Sequence, residues 1–400
     1  MLKKIFKSYD YSLIIVVTLL SLFGLVMVYS ASLVTRYEVP SDFFFEKQKL
    51  NLMIALVFFL IAALVPYKAM KSTKFLLPMV VITLGGLALL FIVGKVANNA
   101  QSWIELGVRS IQPAEFAKLS VIIYLSAVYS KKQSYINEFD RGVAPPLLYL
   151  ALVFLLVAIQ PDFGTAGIIF MIAGSIIVSS GMNLKNIIKL VVIIMCLIAP
   201  ASLIMKDEIF SETRLNRLTS YSDPFADELK SGYQLANSYY AIGSGGVNGL
   251  GLGQSVQKLG YLPEAHTDFI IAIISEELGI LGVGFVLLCL GYLVLRGIYI
   301  GLRCKDPFGS LLAIGISSMI GIQSFVNLGG ATGVIPLTGV PLPFVSYGGS
   351  SLLQMAIAVG ILVNISMFVH FEERYKQTKE PKPTPVPSQE PRNTFYRVKS

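Results

Sequence analysis

The residues of this chain best suited to chemistry gather between Gly243 and Ile280. Six glycines fall between Gly243 and Gly253, a polar turn holds Glu264, His266 and Asp268, and Glu276 and Glu277 follow inside an apolar run. Ionisable groups at such depth are costly, so they mark function or careful pairing. A carboxylate at the mouth of a span, its pKa lifted by partial desolvation, can take a proton from a hydroxyl nucleophile. Asp268 is the candidate for that general base. Two bland readings compete with it. Thr267 or Asp268 caps the following helix, or the helix begins at Pro263 and sets Glu264 and Asp268 four residues apart on one face.

Other constellations carry weaker chemistry. Arg214 and Arg217 stand three apart, either as headgroup anchors of a surface helix or as planar forks that grip a diphosphate. Glu115 and Lys118 are also three apart, acid first, just after Pro113 at a first helical position. They read as a structural or positioning ion pair. Asp162, in Gln160-Pro161-Asp162, reads as a helix cap at a tight turn. The glycine run lacks both a G-x-G-x-x-G pattern and the Lys-Ser/Thr of a phosphate loop, so nucleotide binding is rejected. Its glycines allow tight folding or close backbone approach. From Asn327 to Ser351 the prolines and glycines forbid one regular helix. Irregular backbone at membrane depth must be buried in protein or line a polar cavity, and this stretch is expected to wall the same cavity as Asp268.

The elements that position these residues are membrane spans. The 400 residues are 54% hydrophobic and 14% charged, with several apolar runs of the roughly 20 residues that cross a bilayer. The fold class expected is therefore an all-α polytopic membrane bundle, because the runs are too long and uniform for barrel strands. Ten spans are predicted, near 12–34, 50–66, 75–94, 113–130, 145–160, 163–181, 187–205, 267–295, 309–328 and 348–370. The first is too long for a signal-peptide core and reads as a retained anchor. The formal charge of +8 is scattered over loops, which argues for topology and against nucleic acid. One set of short loops, from Lys3 to Lys305, carries fourteen Lys and Arg. The other set carries five: Arg36, Lys47, Lys49, Lys95 and Arg109. That bias places both termini in the cytoplasm and the long loop of about 206–266 outside. Residues 1–371 form the membrane domain, and 372–400 a basic, Pro-rich disordered tail. Cys196, Cys289 and Cys304 show neither a disulfide framework nor metal-ligand spacing.

Several blocks together resemble the SEDS family (shape, elongation, division and sporulation), whose members include FtsW, RodA and SpoVE. They are Gly232-Tyr233-Gln234 with Ala241-Ile242-Gly243, Gly251-Leu252-Gly253 through Gln257-Lys258, and Tyr261 through Ile270. Glu276-Glu277-Leu278-Gly279, the run from Pro341 to Ser351, Gln112-Pro113-Ala114-Glu115 with Lys118, and Gln160-Pro161-Asp162 match as well. The match covers nearly the whole hydrophobic chain. The first span, with Gly24 to Ser32, and the charged tail look more like the division-type branch than the elongation type. One departure is Gln101-Ser102 before Trp103, where members often carry arginine.

The resemblance implies ten spans and an outward-facing peptidoglycan glycosyltransferase that polymerises lipid II, the undecaprenyl-diphosphate-linked disaccharide peptide. It puts the catalytic aspartate at Asp268, the fourth-span pair at Glu115 and Lys118, and substrate binding at Arg214, Arg217, Lys258, Glu264 and His266. Making a β-linked glycan from an α-linked donor inverts the anomeric carbon, which needs one base and no nucleophile. The diphosphate leaving group needs charge stabilisation, from arginines or from a divalent cation whose ligands the sequence does not show. Expected partners are membrane lipids, a class B penicillin-binding transpeptidase and other division proteins at the septum. A lipid flippase and a non-enzymatic scaffold recruiting the transpeptidase stay open as rivals. The flippase needs a polar path to the cytoplasmic side, and the scaffold has no need of Asp268.

Overall fold

The computed structural model describes residues 2–32, 42–97, 100–106, 109–204, 221–226 and 232–375. A short α1 (Leu2–Phe6) precedes α2 (Tyr11–Ser32), α3 (Phe43–Leu64) and α4 (Thr73–Val93). Then follow α5 (Pro113–Lys131), α6 (Ala144–Ile159), α7 (Phe163–Ser179) and α8 (Leu184–Ile204). After α9 (Tyr233–Gly245) come α10 (Ile270–Arg303), α11 (Pro307–Ala331) and α12 (Gly349–Tyr375). Among the described residues seven helices are long and apolar enough to cross a membrane. Each apolar run expected to be a span is helical, with α10 longer than expected at its far end and α12 running past residue 371.

One departure from an all-helical chain lies between α4 and α5. There β1 (Lys95–Ala97), β2 (Ala100–Leu106) and β3 (Arg109–Ile111) form a three-stranded antiparallel sheet in order β1-β2-β3. Trp103 pairs with Lys95 across it. Too short to bury a face alone, it draws its stability from the helix ends beside it.

The core is a continuous apolar cluster in which α5, α11 and α12 are the most enclosed of the long helices. The starts of α3, α5, α7, α10 and α12 meet at one end of the bundle, the end that holds Asp268. At the opposite end Arg296 of α10 pairs with Asp10 at 2.8 Å, and the Tyr67 hydroxyl donates to Asp306. Arg374 of α12 donates to the Lys7 carbonyl there, so the chain's first helix and its last described turn share that end.

Two irregular stretches reach deep into the helices. The 332–348 segment joins α11 to α12 without helix, and its Val340, Leu342, Phe344, Val345 and Ser346 are buried. It presses on α2 at Gly24, where a Cβ would come within 2.6 Å of the Phe344 carbonyl. Gly24 lies roughly 12 Å from the Ser32 end of its helix at about 1.5 Å per residue. Non-helical backbone at that depth is enclosed by protein, which is the condition for it to persist.

The second stretch follows α9. Helix α10 breaks its ladder at Gly279, whose φ of 61° and ψ of −153° only glycine adopts readily. The carbonyls of Glu276 and Glu277 then accept the N–H groups of Leu250 and Gly251, both at 2.9 Å. In return Ile280 N–H bonds Val247 O at 3.2 Å. Backbone meets backbone here, so a Cβ on Gly245, Gly249 or Gly279 would overlap its neighbour. The glycine run thus approaches α10 itself.

Candidate active site

Asp268 stands in the turn before α10, partly buried. The N-cap of α10 is Phe269 without a side-chain bond, so the capping reading of Thr267 or Asp268 does not hold. Nor does the helix begin at Pro263: residues 261–269 are turns, and Glu264 has a φ of 57°. The Asp268 carbonyl accepts from Asn327 Nδ2 of α11 at 2.9 Å, and the same amide group donates to Val340 O at 2.8 Å. Its carboxylate faces Gly339, where a Cβ would lie 3.5 Å from Oδ2. With φ of +76°, Gly339 sets bare backbone against that carboxylate.

The turn is held from three sides. Ser346 Oγ donates to the Thr267 carbonyl at 2.6 Å, and Tyr347 N–H to His266 O at 2.9 Å. Thr267 Oγ1 donates to the Glu264 carboxylate at 2.6 Å, which fixes Glu264 beside the turn. The buried His266 ring packs on Phe44 of α3 with centroids 4.1 Å apart, and on Tyr347. Burial holds its pKa below the ordinary 6.5, against an opposing pull from Glu264. Gln48 of α3 donates to Ser346 O, closing the ring of supports.

Asp162 is the N-cap of α7, and its Oδ1 accepts from Thr165 N–H at 3.1 Å. Its other oxygen lies 3.5 Å from both Ser102 Oγ and Gln112 Nε2. The next turn abuts Thr338: a Cβ on Gly164 would sit 3.2 Å from its carbonyl. The first turn of α7 and the Asp268 turn therefore both touch the 338–339 segment.

Glu115 and Lys118 form the expected pair at 2.7 Å, both buried, one turn into α5. Lys258 is placed differently from a ligand-facing lysine. It is 3% exposed, and its ammonium lies 2.7 Å from Glu277 and 3.0 Å from Ser30 Oγ, which itself donates to Glu277. Its charge is thus committed within the protein. Glu276 takes the Ser255 hydroxyl and Val256 N–H, so the two buried acids anchor the glycine segment through side chains as well as backbone. Arg214 and Arg217 lie outside the described residues. In the same loop Tyr221 donates to Val334 O at 3.3 Å. Among the described residues no three His, Cys, Asp or Glu gather as a metal would require.

Ser30, Gln48 and Asn327 support the site in ways that spacing does not reveal. Ser30 is one hydroxyl in an apolar span, and its partner is 247 residues away. The available signal was only that buried acids need donors.

A family model described as cell cycle protein, named for FtsW, RodA and SpoVE, matches residues 10–370. The chain is 53% identical over 402 residues to the probable peptidoglycan glycosyltransferase FtsW of Bacillus subtilis (strain 168), covering 99% of this chain and 100% of that one. It is 42% identical to the stage V sporulation protein E of the same organism, over 91% of this chain and 98% of the relative. Among solved structures it matches a chain from a study of polymerization and crosslinking by a peptidoglycan synthase complex. The TM-score is 0.74 at 26% identity, over 90% of this chain and 98% of that chain. The rod shape determining protein RodA of Thermus thermophilus shares the fold, with a TM-score of 0.65 at 24% identity, over 92% of this chain and 98% of that one.

Proposed function

The chain belongs to the FtsW, RodA and SpoVE family of cell cycle proteins and is a peptidoglycan glycosyltransferase; we propose that it polymerises lipid II at the outer membrane face during cell division, with Asp268 as general base. The observation that carries the assignment is the setting of Asp268. Its backbone is clamped by Asn327, its carboxylate is not the helix cap, and a glycine leaves the space beside it without a side chain. A clamped backbone and a carboxylate set against bare glycine backbone suit a base that must meet a sugar hydroxyl.

In the proposed step the 4-hydroxyl oxygen of the acceptor sugar attacks the anomeric carbon of the donor. The bond from that carbon to the diphosphate breaks, the diphosphate leaves with the electron pair, and the hydroxyl proton passes to Asp268. One displacement inverts the centre. Arg214 and Arg217 are proposed to stabilise the diphosphate, with Glu264 and His266 shaping the acceptor side. Lys258 supports the glycine segment. The ten-span count, cytoplasmic termini, septal location and a class B penicillin-binding transpeptidase partner belong to the same reading. It is supported by the loop charge bias and by α1 and the end of α12 lying together opposite Asp268.

The test is lipid II polymerisation by purified protein, alone and with its transpeptidase. Asp268→Asn is expected to lower turnover by about 10²–10⁴-fold, the worth of a positioned base, without changing thermal stability. Near-normal glycan synthesis by Asp268→Asn, and by its double mutant with Glu264→Gln, would refute the assignment. A flippase predicts no polymer from the wild type in detergent. A non-enzymatic scaffold predicts no polymer from the purified wild type either.

A further inference from the structure

Below the Asp268 turn several buried polar atoms meet no protein partner among the described residues. They are Glu115 Oε2 on α5, Gln323 Oε1 and Nε2 and Asn327 Oδ1 on α11, and Gln354 Oε1 on α12. Their side chains are enclosed, Gln323 and Gln354 at 0% exposure. Native interiors rarely leave such atoms unpaired.

The helix registers bring these residues to one level. Gln112 N–H, just before α5, bonds Ser350 Oγ in the first turn of α12 at 3.0 Å. The two helices therefore start side by side, and Glu115 and Gln354 each follow about one turn in. Gln354 Nε2 lies 3.0 Å from Met319 Sδ of α11, and Gln323 is the next turn along that face. Helices α5 and α11 cross where a Cβ on Gly315 would meet Ile122, two turns from the same level. Asn327, one further turn on, holds the Asp268 carbonyl.

We propose that ordered water is built into this junction of α5, α11 and α12, held by Gln323, Gln354, Asn327 and Glu115, and that it hydrates the Glu115–Lys118 pair up to the Asp268 turn. The donor and acceptor inventory selects water over an ion. Glu115, Gln354 and Asn327 offer acceptors, while the Gln323 amide offers donors as well. A cation would leave those donors unmet and stand beside the Lys118 ammonium; an anion would face the Glu115 carboxylate. Water serves both kinds of group and makes about three bonds per molecule. It also solvates the ion pair and offsets part of the cost of burying it. The inference is independent of the glycosyltransferase reading.

Met319 reports on this directly, because its sulfur lies at the junction yet is fully buried. The full chain in lipid nanodiscs is exposed to millisecond X-ray radiolysis in ¹⁸O-labelled water, and ¹⁸O sulfoxide is read by mass spectrometry. Met319 is expected to label at least about tenfold faster than Met27, an equally buried methionine of α2 packed among apolar side chains. Gln323→Leu is expected to bring Met319 down toward Met27. If that variant misfolds, which labelling of Met27 would reveal, Gln354→Leu takes its place. Met319 as protected as Met27 in the wild type overturns the proposal, and so does labelling that a folded drying variant leaves unchanged.

Discussion

Glu115 and Lys118 show what burial does to a single pair of charges. Both are enclosed one turn inside α5, 2.7 Å apart. Removing one partner strands the other, at about 3–5 kcal/mol, whereas removing both does not. Glu115→Gln and Lys118→Met are each expected to lower thermal stability and polymerisation per folded molecule more than the double mutant does. A double mutant no better than the worse single one would move Glu115 into the catalytic machinery beside Asp268. This pair was legible from spacing alone, since an acid and a lysine three apart in an apolar helix have few alternatives. Lys258 was not. Its partners, Glu277 and Ser30, lie 19 and 228 residues away, and nothing local distinguishes a lysine committed to an ion pair from one facing a substrate.

At the scale of elements the decisive feature is the break in α10. Gly279 combines a backbone conformation nearly closed to other residues with a Cβ position 2.4 Å from Val247 O. Gly279→Ala is therefore expected to undock the 246–258 segment. Amide exchange there should rise and polymerisation should fall, while the helices stay inserted. Gly243→Ala, in the same glycine run but with nothing within 4 Å, is expected to be tolerated. Rapid exchange in both variants, or in neither, would contradict the docking role. Apolar run length made the helices readable in sequence, because each must satisfy its own backbone in lipid. The kink was not readable, because it exists only where another backbone arrives to use the released carbonyls. The strands around Trp103 were missed for a related reason: three short segments of mixed polarity have no period long enough to see.

For the whole molecule, the loop charge bias of fourteen to five and the meeting of α1 with the end of α12 support the proposed orientation, with both inside. With the native cysteines removed, Leu252→Cys in the glycine segment should react with an impermeant maleimide in intact cells. Lys3→Cys should react only after permeabilisation. Labelling of both from outside would reverse the orientation and place Asp268 on the wrong side for lipid II polymerisation.

The long reach of the Glu277 contacts bears on how the protein is made. Ser30 leaves the ribosome among the first residues, Lys258 more than two hundred residues later, and Glu277 shortly after that. By the time the two acids reach the bilayer, the hydroxyl and the ammonium that bond Glu277 are already synthesised. The turn carrying Asp268 must then wait for Ser346 and Tyr347 to emerge. If Asp268 is the base, competence waits for α12, and a chain cut short before α12 is expected to insert in the membrane yet make no polymer.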